Sequence, residues 1–213
     1  MKLPTKWLPC GFCAEMTLAV RRKEHPKRQT RRIIIPQPTG DFYPLGESVW
    51  YDNGSGGCSH WPRWPVGTGL YFTEPTRMEY TSADDDTPNG CMTIYSADTE
   101  VAHVDGKPVC WTAANSGLPS RFMRKCLCRT LGVVTDVRAQ RVNEITWDDA
   151  VAEGVVCPVN ESVVRAFKGL WNTLHPKSGE RFEDGPWVYA YTFEVITTDH
   201  KEAQMILKES DNG

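Results

Sequence analysis

Ten consecutive residues, WVYAYTFEVI at 187–196, place the tightest constraint on what this sequence can fold into. They are rich in aromatic and β-branched side chains, which favour a β-strand. Because successive side chains of a strand point to opposite faces, two distinct faces are predicted. One face carries Val188, Ala190, Thr192 and Glu194, and the other carries Trp187, Tyr189, Tyr191, Phe193 and Val195. A strand with two such faces has to be covered on both sides.

The other patterned segments are a mixture of strands and helices. Strands are predicted at the isoleucines 33–35, at 67–74 and across 121–142, and helices at 14–23, 147–153 and 161–175. Since strands and helices do not alternate regularly, a doubly wound parallel sheet is disfavoured. We predict an α+β fold in which the strands form a small, partly closed mixed β-barrel with a few flanking helices.

Two stretches between these elements have no hydrophobic period. Residues 39–66 are rich in Gly, Pro, Ser and Trp, and residues 78–120 are polar, so both are predicted to be insertions. We predict one domain over 1–198 with these insertions at about 39–66 and 78–120. A polar C-terminal tail at 199–213, either a short helix or disordered, follows it.

Composition narrows the compartment and the partners. The 213 residues carry a net charge of −3, and the chain has no apolar run of the roughly 20 residues that cross a bilayer. No segment resembles a signal peptide, so we expect a soluble cytoplasmic protein without a membrane partner, whose eight cysteines are reduced. Because the overall charge is acidic, affinity for a nucleic acid has to come from a local basic patch.

The strongest local charge feature is a basic run at positions 21–32. Its seven cations are Arg21, Arg22, Lys23, Lys27, Arg28, Arg31 and Arg32. Arginine forks match the geometry of phosphates, so the run predicts contact with RNA or a nucleotide. The alternative is a solvated helix face followed by a basic strand edge.

Three segments, in this order, resemble the ASCH-domain pattern of the PUA-like superfamily, of the type found in phage and prophage proteins. They are the basic motif at 27–32 with the isoleucine strand and Pro36, GLYFTE at 69–74, and the run from Val133 through Asp149-Ala150 and Leu170-Trp171 to Pro186-Trp187-Val188. The resemblance covers most of 14–36, 66–77 and 118–196. It implies a PUA-like barrel with a basic cleft for RNA or a modified nucleoside. His25 stands where the family has glycine, and Arg28 stands where a threonine is usual.

The related 4-acetylcytidine amidohydrolases use a lysine, a threonine three residues later and a glutamate on a following strand. The positions that resemble them are Lys27, Thr30 and Glu74. In such a site the lysine takes the proton of the threonine nucleophile, and the glutamate holds the lysine or passes a proton to the leaving amine. The alternative is an ordinary ion pair between Lys27 and Glu74. Binding alone and hydrolysis of a linear amide therefore both stay open.

Nucleic-acid contacts are predicted from the same neighbourhood. The residues expected to contact RNA are Arg22, Arg28, Arg31, Arg32 and Tyr71. Aromatic rings in the first insertion, which include Trp61 and Trp64, are further candidates for stacking on a base. The alternative for those rings is a small core under a long loop.

Cysteine and histidine spacing gives no complete metal motif. Cys10 and Cys13 form the single CxxC, and the rest of a zinc site would have to come from Cys126 and Cys128, from Cys58 with His60, or from Cys91. We predict no metal and no cofactor, while zinc at Cys10 and Cys13 stays open. Glycine-rich phosphate loops are absent from the sequence, which argues against an NTPase or a dinucleotide enzyme.

Three functions remain. The favoured one is a binding module for RNA or a modified nucleoside. The alternatives are an amidohydrolase that deacylates an acylated cytidine-like nucleoside, and a phage accessory or morphogenesis protein that acts through contacts with a protein partner. A phage origin would place the protein in the host cytoplasm. The oligomeric state does not follow from the sequence.

Overall fold

The computed structural model describes residues 3–46, 49–54, 56–80, 91–104, 107–109, 117–157 and 162–211. The chain divides into two compact units, each made of separated stretches of sequence. Unit 1 consists of Met1–Arg21, Gly69–Gly132 and Val195–Gly213, and unit 2 consists of Arg22–Thr68 and Val133–Glu194. The division into two compact units does not decide whether residues 1–198 form one domain, so that expectation stays a prediction.

The described residues form both strands and helices, with more residues in strands than in α-helices. In chain order the strands are β1 (Trp7–Gly11), β2 (Gln29–Ile33), β3 (Phe42–Gly46), β4 (Val49–Asp52), β5 (Cys58–His60), β6 (Gly69–Thr73), β7 (Thr76–Tyr80), β8 (Cys91–Tyr95), β9 (His103–Val104), β10 (Lys107–Pro108), β11 (Leu131–Arg141) and β12 (Trp187–Thr197). The α-helices are α1 (Ala14–Arg21), α2 (Trp147–Ala152), α3 (Val163–Leu174) and α4 (His200–Asp211). The predicted α+β class is confirmed, and no sheet formed by the described residues closes into a barrel.

Unit 1 is organised around a parallel pair of strands. β1 pairs with β6, with Cys10 opposite Phe72, and β6 lies beside the start of β11. Most of the stretch 199–213, predicted as a polar tail that is either a short helix or disordered, forms α4 (His200–Asp211). Its buried side chains Ala203, Ile206 and Leu207 belong to the hydrophobic core of this unit. Their spacing of three and four residues places them on one helix face, which explains why the helix is held.

Unit 2 contains a sheet with two chemically different faces. β12 pairs antiparallel with β2, with Tyr191 opposite Thr30, and β11 is the other neighbour of β12. Val188 packs with Phe167 and Trp171 of α3 in an apolar core. On the opposite face the rings of Tyr189 and Tyr191 contact tryptophans. The alternation predicted for this strand is therefore confirmed.

The first predicted insertion is not irregular, since much of it forms the antiparallel sheet β3-β4-β5. Its strands are only three to five residues long and carry no long hydrophobic period. The ring of Phe42 contacts Trp187, and the ring of Trp50 contacts Tyr189. Packing against β12 therefore stabilises strands that the local sequence pattern alone does not predict.

Several element boundaries follow local signals. Thr146 is the N-cap of α2 and its Oγ1 accepts a hydrogen bond from the Asp149 amide at 3.2 Å. Gly154 follows this helix with φ +78°, which a glycine tolerates. The strand predicted at 33–35 begins earlier, at Gln29, because Gln29 to Ile33 are the residues that pair with β12. Ile35 is 83% exposed.

Within the described residues, no helix is both long and apolar enough to cross a membrane.

Candidate functional site

The three residues predicted to be catalytic are distributed over both units. Lys27 and Thr30 belong to unit 2, and Glu74 belongs to unit 1. All three side chains are buried. Each is described below within its own unit.

Lys27 is 2% exposed and pairs with Glu153 at the end of α2. Its Nζ donates to Glu153 Oε2 at 2.5 Å and to the Glu153 carbonyl oxygen at 2.9 Å. A buried ammonium is costly unless it is paired, and here a carboxylate and a carbonyl offset that cost. The carboxylate that contacts Lys27 in unit 2 is therefore Glu153.

Arg31 joins the same buried network from β2. Its Nη1 lies 2.9 Å from Glu153 Oε1, and its Nη2 lies 2.9 Å from Asp149 Oδ2. Gln29 and Arg138 each donate to Asp149 Oδ1 at 2.9 Å. Two carboxylates of α2 thus receive donors from one lysine, two arginines and one glutamine, an arrangement that locks α2 onto β2.

The charge on Asp149 is maintained by these donors. Burial opposes ionisation, but the hydrogen bonds from Arg138 and Gln29 and the charge of Arg31 outweigh it, so the pKa of Asp149 is lowered. The carboxylate is therefore ionised at neutral pH. Because an arginine keeps its proton at any ordinary pH, the buried guanidinium of Arg31 requires an anionic partner, and Asp149 supplies the negative charge.

Thr30 points away from this network. Gln29 and Arg31 contact the α2 carboxylates, so the alternation of a strand turns Thr30 and Arg32 to the other face of β2. Two contacts on that face agree: the Arg32 guanidinium lies 5.7 Å from the ring centre of Trp64, and Trp64 contacts Tyr191, the residue opposite Thr30. The catalytic roles of Lys27, Thr30 and Glu74 stay a prediction.

Glu74 has its own partner in unit 1. Arg129 donates to both carboxylate oxygens of Glu74, each at 2.7 Å, in the two-pronged geometry that suits arginine. The same guanidinium contacts Asp98 at 3.0 Å and also Glu100, and it lies 3.8 Å from the ring centre of Tyr95. One arginine, 1% exposed at its side chain, therefore serves three carboxylates.

Burial dominates the electrostatics of Glu74. It raises the pKa of the Glu74 carboxyl, although the hydrogen bond and charge of Arg129 act in the opposite direction. The pKa of Asp98 is lowered instead: its burial is outweighed by Arg129, by the Glu100 amide and by Arg21, whose Nη1 lies 2.7 Å from it. Glu74 is thus a buried carboxyl with a raised pKa, which suits a proton-transfer role or a purely structural one.

The residues predicted to contact RNA have different surroundings. Arg31 is buried among carboxylates, whereas Arg22 is exposed and its Nη1 donates to the Gly154 carbonyl oxygen at 3.1 Å. Arg28 and Arg32 are half-buried. Tyr71 lies in unit 1, where it packs against the hydrophobic core. Their roles in binding RNA stay predictions.

Arg63 is a further cation close to the face of β2 that carries Thr30 and Arg32, and it lies outside the basic run at 21–32. It lies in the segment WPRWP at 61–65, where Trp64 is buried and Trp61 is 66% exposed. The guanidinium of Arg63 lies 5.6 Å from the centre of the Trp64 ring, and its backbone amide donates to the Tyr191 hydroxyl at 3.2 Å. The repeated Trp-Pro spacing is the signal in the sequence that marks this segment.

A group of metal-binding side chains occurs on the β4-β5 hairpin. Asp52, Cys58 and His60 each offer one ligand atom, and these atoms lie within 4.8 Å of one another. The sequence indicates the pair Cys58-x-His60, but Asp52 has no motif that connects it with them.

Other cysteines have ordinary surroundings. In the CxxC of unit 1, Cys10 is fully buried and Cys13 is half-buried, as expected for a strand that sends one thiol into a core. Burial raises the pKa of the Cys13 thiol. A zinc site at Cys10 and Cys13 stays open.

Unit 1 also has a pocket with a volume of about 560 Å³. Its lining includes Tyr95, Glu100, His103, His200 and Gln204. Burial lowers the pKa of His200, so this imidazole is neutral at physiological pH. None of the residues predicted to bind or react lines this pocket.

No protein-family model matches the chain, and neither the curated proteins nor the solved structures contain a significant match.

Proposed function

We propose that unit 2 binds single-stranded RNA or a modified nucleoside through the face that carries Arg32, Trp64, Arg63 and Trp61. The observation that carries the proposal is Trp61, a large aromatic residue that is 66% exposed and lies three residues before Trp64, whose ring two arginines contact. Exposing an indole forfeits the free energy of burying it. A base stacked on the ring would recover that free energy.

The segment around Trp61 is held in place before any ligand arrives. Pro62 and Pro65 fix their own φ angles, and the buried ring of Trp64 contacts Tyr191 of β12. Little conformational entropy is then lost when a ligand binds Trp61 or Arg63, and preorganisation of this kind increases affinity.

The two arginines supply the charge. The guanidinium groups of Arg32 and Arg63 lie 5.7 and 5.6 Å from the Trp64 ring, within the range of a cation–π interaction. An arginine that rests on a ring keeps its planar donors ordered for a phosphate. Arg28, one residue before β2, adds a further half-buried cation to the same unit.

Binding is favoured over hydrolysis by the partner of Lys27. An ammonium paired with the Glu153 carboxylate holds the proton that a general base would have to lack. Thr30 lies on the face of Arg32 and Trp64, and its side chain is buried there.

The finer fold assignment is part of the same proposal. The motifs at 27–32 and 69–74 support an ASCH-like domain of the PUA-like superfamily, with a partly closed barrel, acting on RNA in the cytoplasm. Arg22, Arg28 and Arg32 of unit 2 are the predicted nucleic-acid contacts that belong to this proposal, whereas the predicted roles of the buried Arg31 and of Tyr71 in unit 1 lie outside it.

A fluorescence anisotropy titration with labelled single-stranded RNA tests the proposal. Base stacking typically contributes about 1–3 kcal/mol, so Trp61→Ala should weaken binding by roughly 5- to 150-fold. Trp147→Ala is the matched control, because Trp147 is a tryptophan of the same unit that is 59% exposed and lies at the start of α2. Equal losses in both variants, or no binding by the wild-type chain, would contradict the proposal.

The charge of the face is tested by salt. Arg32→Ala should reduce the slope of log Kd against log salt concentration by about 1, since one phosphate contact is lost. The titrations would be run between about 50 and about 200 mM salt. An unchanged slope would remove Arg32 from the binding face.

A separate assay addresses the amidohydrolase alternative. The chain is incubated with 4-acetylcytidine and cytidine is measured by chromatography. We expect no cytidine above the level without protein. Release of cytidine that disappears in Thr30→Val would identify an amidohydrolase and displace the binding-only proposal.

A further inference from the structure

The β4-β5 hairpin places three different ligand types on one face. Asp52 pairs directly with Cys58 across the antiparallel strands, so their side chains lie on the same side of the sheet. His60 is two residues beyond Cys58 and shares that side by alternation. Pairing and register alone therefore bring a carboxylate, a thiol and an imidazole together.

The distances suit a single ion. Cys58 Sγ lies 3.2 Å from His60 Nε2, and the three ligand atoms are all within 4.8 Å of one another. Ligands bound to zinc at roughly 2.0–2.3 Å with tetrahedral angles are roughly 3.3–3.6 Å apart. The Cys58–His60 distance is already close to this range, and side-chain rotations that move a ligand atom by about 1 Å bring the third ligand into it.

The Asp52 carboxylate is oriented by the backbone. Its Oδ2 accepts from the Thr39 amide at 2.9 Å, and its Oδ1 accepts from the amides of Gly40 at 2.8 Å and Gly54 at 3.0 Å. Carboxylates that bind metals are typically held by such outer hydrogen bonds, which fix their direction.

The imidazole and the turn are also fixed. The edge of the His60 ring packs on Phe42, with centroids 5.2 Å apart. Gly57 has φ +56°, and a Cβ atom there would fall 2.2 Å from the Tyr51 hydroxyl, so the turn requires glycine. The three side chains are therefore arranged by the hairpin itself.

We propose that Asp52, Cys58 and His60 form a binding site for a divalent transition-metal ion, with zinc as the expected occupant. Sulfur, nitrogen and oxygen ligands together suit zinc, whereas calcium and magnesium prefer oxygen alone. Three protein ligands leave a fourth position for water or an external ligand, the pattern of zinc sites that exchange a ligand. Cys58 is exposed, so an ion reaches the site from solvent.

Cobalt titration of the full chain tests the site. Co²⁺ bound through a thiolate gives a sulfur-to-metal charge-transfer band in the near ultraviolet and strong visible bands when four-coordinate. One equivalent should bind with both signals, and one equivalent of Zn²⁺ should abolish them. Cys58→Ser should remove the charge-transfer band, while Cys126→Ser, which alters an exposed cysteine of unit 1, should leave it unchanged.

Affinity gives the second readout. Loss of an outer partner of a metal ligand typically costs about 10- to 100-fold in affinity, so His60→Gln, which removes a ligand, should weaken Zn²⁺ binding by roughly 100-fold or more. Competition with a coloured zinc chelator measures this. An unchanged affinity in both Cys58→Ser and His60→Gln would overturn the proposal.

Alkylation of the wild-type chain avoids reliance on variants that fail to fold. With Zn²⁺ present, iodoacetamide labelling of Cys58 should slow at least roughly 10-fold, because a metal-bound thiolate is a poorer nucleophile. Labelling of Cys126, measured by peptide mass spectrometry in the same sample, should not change. Equal labelling of Cys58 with and without Zn²⁺ would show that the Cys58–His60 contact is an ordinary hydrogen bond.

Discussion

Each unit contains a buried ionic cluster, and the two clusters distribute their cations among carboxylates in different ways. In unit 1, Arg129 serves Glu74, Asp98 and Glu100. In unit 2, two carboxylates of α2 receive Lys27, Arg31 and the partly exposed Arg138. Three carboxylates share one buried arginine in the first cluster, whereas two buried cations, Lys27 and Arg31, supply two carboxylates in the second.

The difference appears in the protonation of the acids. The pKa of Glu74 is raised, because burial outweighs its arginine, while the pKa of Asp149 is lowered, because its several donors outweigh burial. Burial alone therefore does not decide whether a carboxyl keeps its charge. The number of donors that each acid receives decides it.

The largest expected effect comes from removing the shared arginine of unit 1. Arg129→Met should destabilise the protein by about 3–5 kcal/mol, because it leaves buried Glu74 without its cation and deprives two further acids. Urea denaturation followed by tryptophan fluorescence measures the loss. A cost below about 1 kcal/mol would show that Glu74 simply takes up a proton.

Removing the corresponding arginine of unit 2 should cost less. In Arg31→Met, Lys27 still pairs with Glu153, and Gln29 and Arg138 still donate to Asp149. We expect a loss of about 2–3 kcal/mol in the same urea experiment. A loss equal to or larger than that of Arg129→Met would show that the remaining donors do not support Asp149 and Glu153 better than Glu74 is supported without Arg129.

The two acids should show opposite dependences on pH. A lowered folded-state pKa gives Asp149 a stabilising contribution that is present above its unfolded pKa of about 3.9 and lost as pH falls through the folded pKa. A raised folded-state pKa gives Glu74 a contribution that is present below about 4.3 and lost as pH rises through the folded pKa.

Neutral variants make this contrast measurable. As the pH rises towards about 3.9, Asp149→Asn should become progressively less stable relative to wild type, and as the pH rises above about 4.3, Glu74→Gln should become progressively more stable relative to wild type. Denaturation curves at several pH values give both slopes. Slopes of the same sign would show that the two carboxyls share one environment.

The smallest effect is expected at the rim of the unit 2 cluster. The side chain of Arg138 is 43% exposed, so water and salt screen its contact with Asp149. Arg138→Ala should therefore cost roughly 0.5 kcal/mol or less, and added salt should reduce even this loss. A cost comparable with that of Arg31→Met would show that Asp149 depends on this outer contact.

The local features of the fold were accessible from the sequence. The alternation of β12, the strand that ends before Glu74 and the Thr146 cap of α2 all arise from neighbouring residues, and all three are observed. The sheet β3-β4-β5 was not predicted, because its strands depend on aromatic contacts with a strand more than a hundred residues later. The segment of α4 is predicted as a polar tail because its four apolar side chains are few among polar and charged ones.

The pairing of charges was the least predictable part. The sequence shows that residues 27–32 are basic, but not that Arg31 finds Asp149 and Glu153 more than a hundred positions away. Arg129 lies 55 residues from Glu74 and has no motif that connects the two. A linear charge pattern reveals which groups need partners, and only the folded chain decides which of them remain for a ligand.

The split composition of unit 1 has a consequence for how the protein is made. Its third stretch contains α4, whose Ala203, Ile206 and Leu207 complete a core whose other buried residues belong to the second stretch. A ribosome finishes both stretches of unit 2 before it reaches that helix. During synthesis, therefore, unit 2 can mature while unit 1 still exposes an apolar surface, and a chain released before α4 would carry that surface to chaperones and proteases.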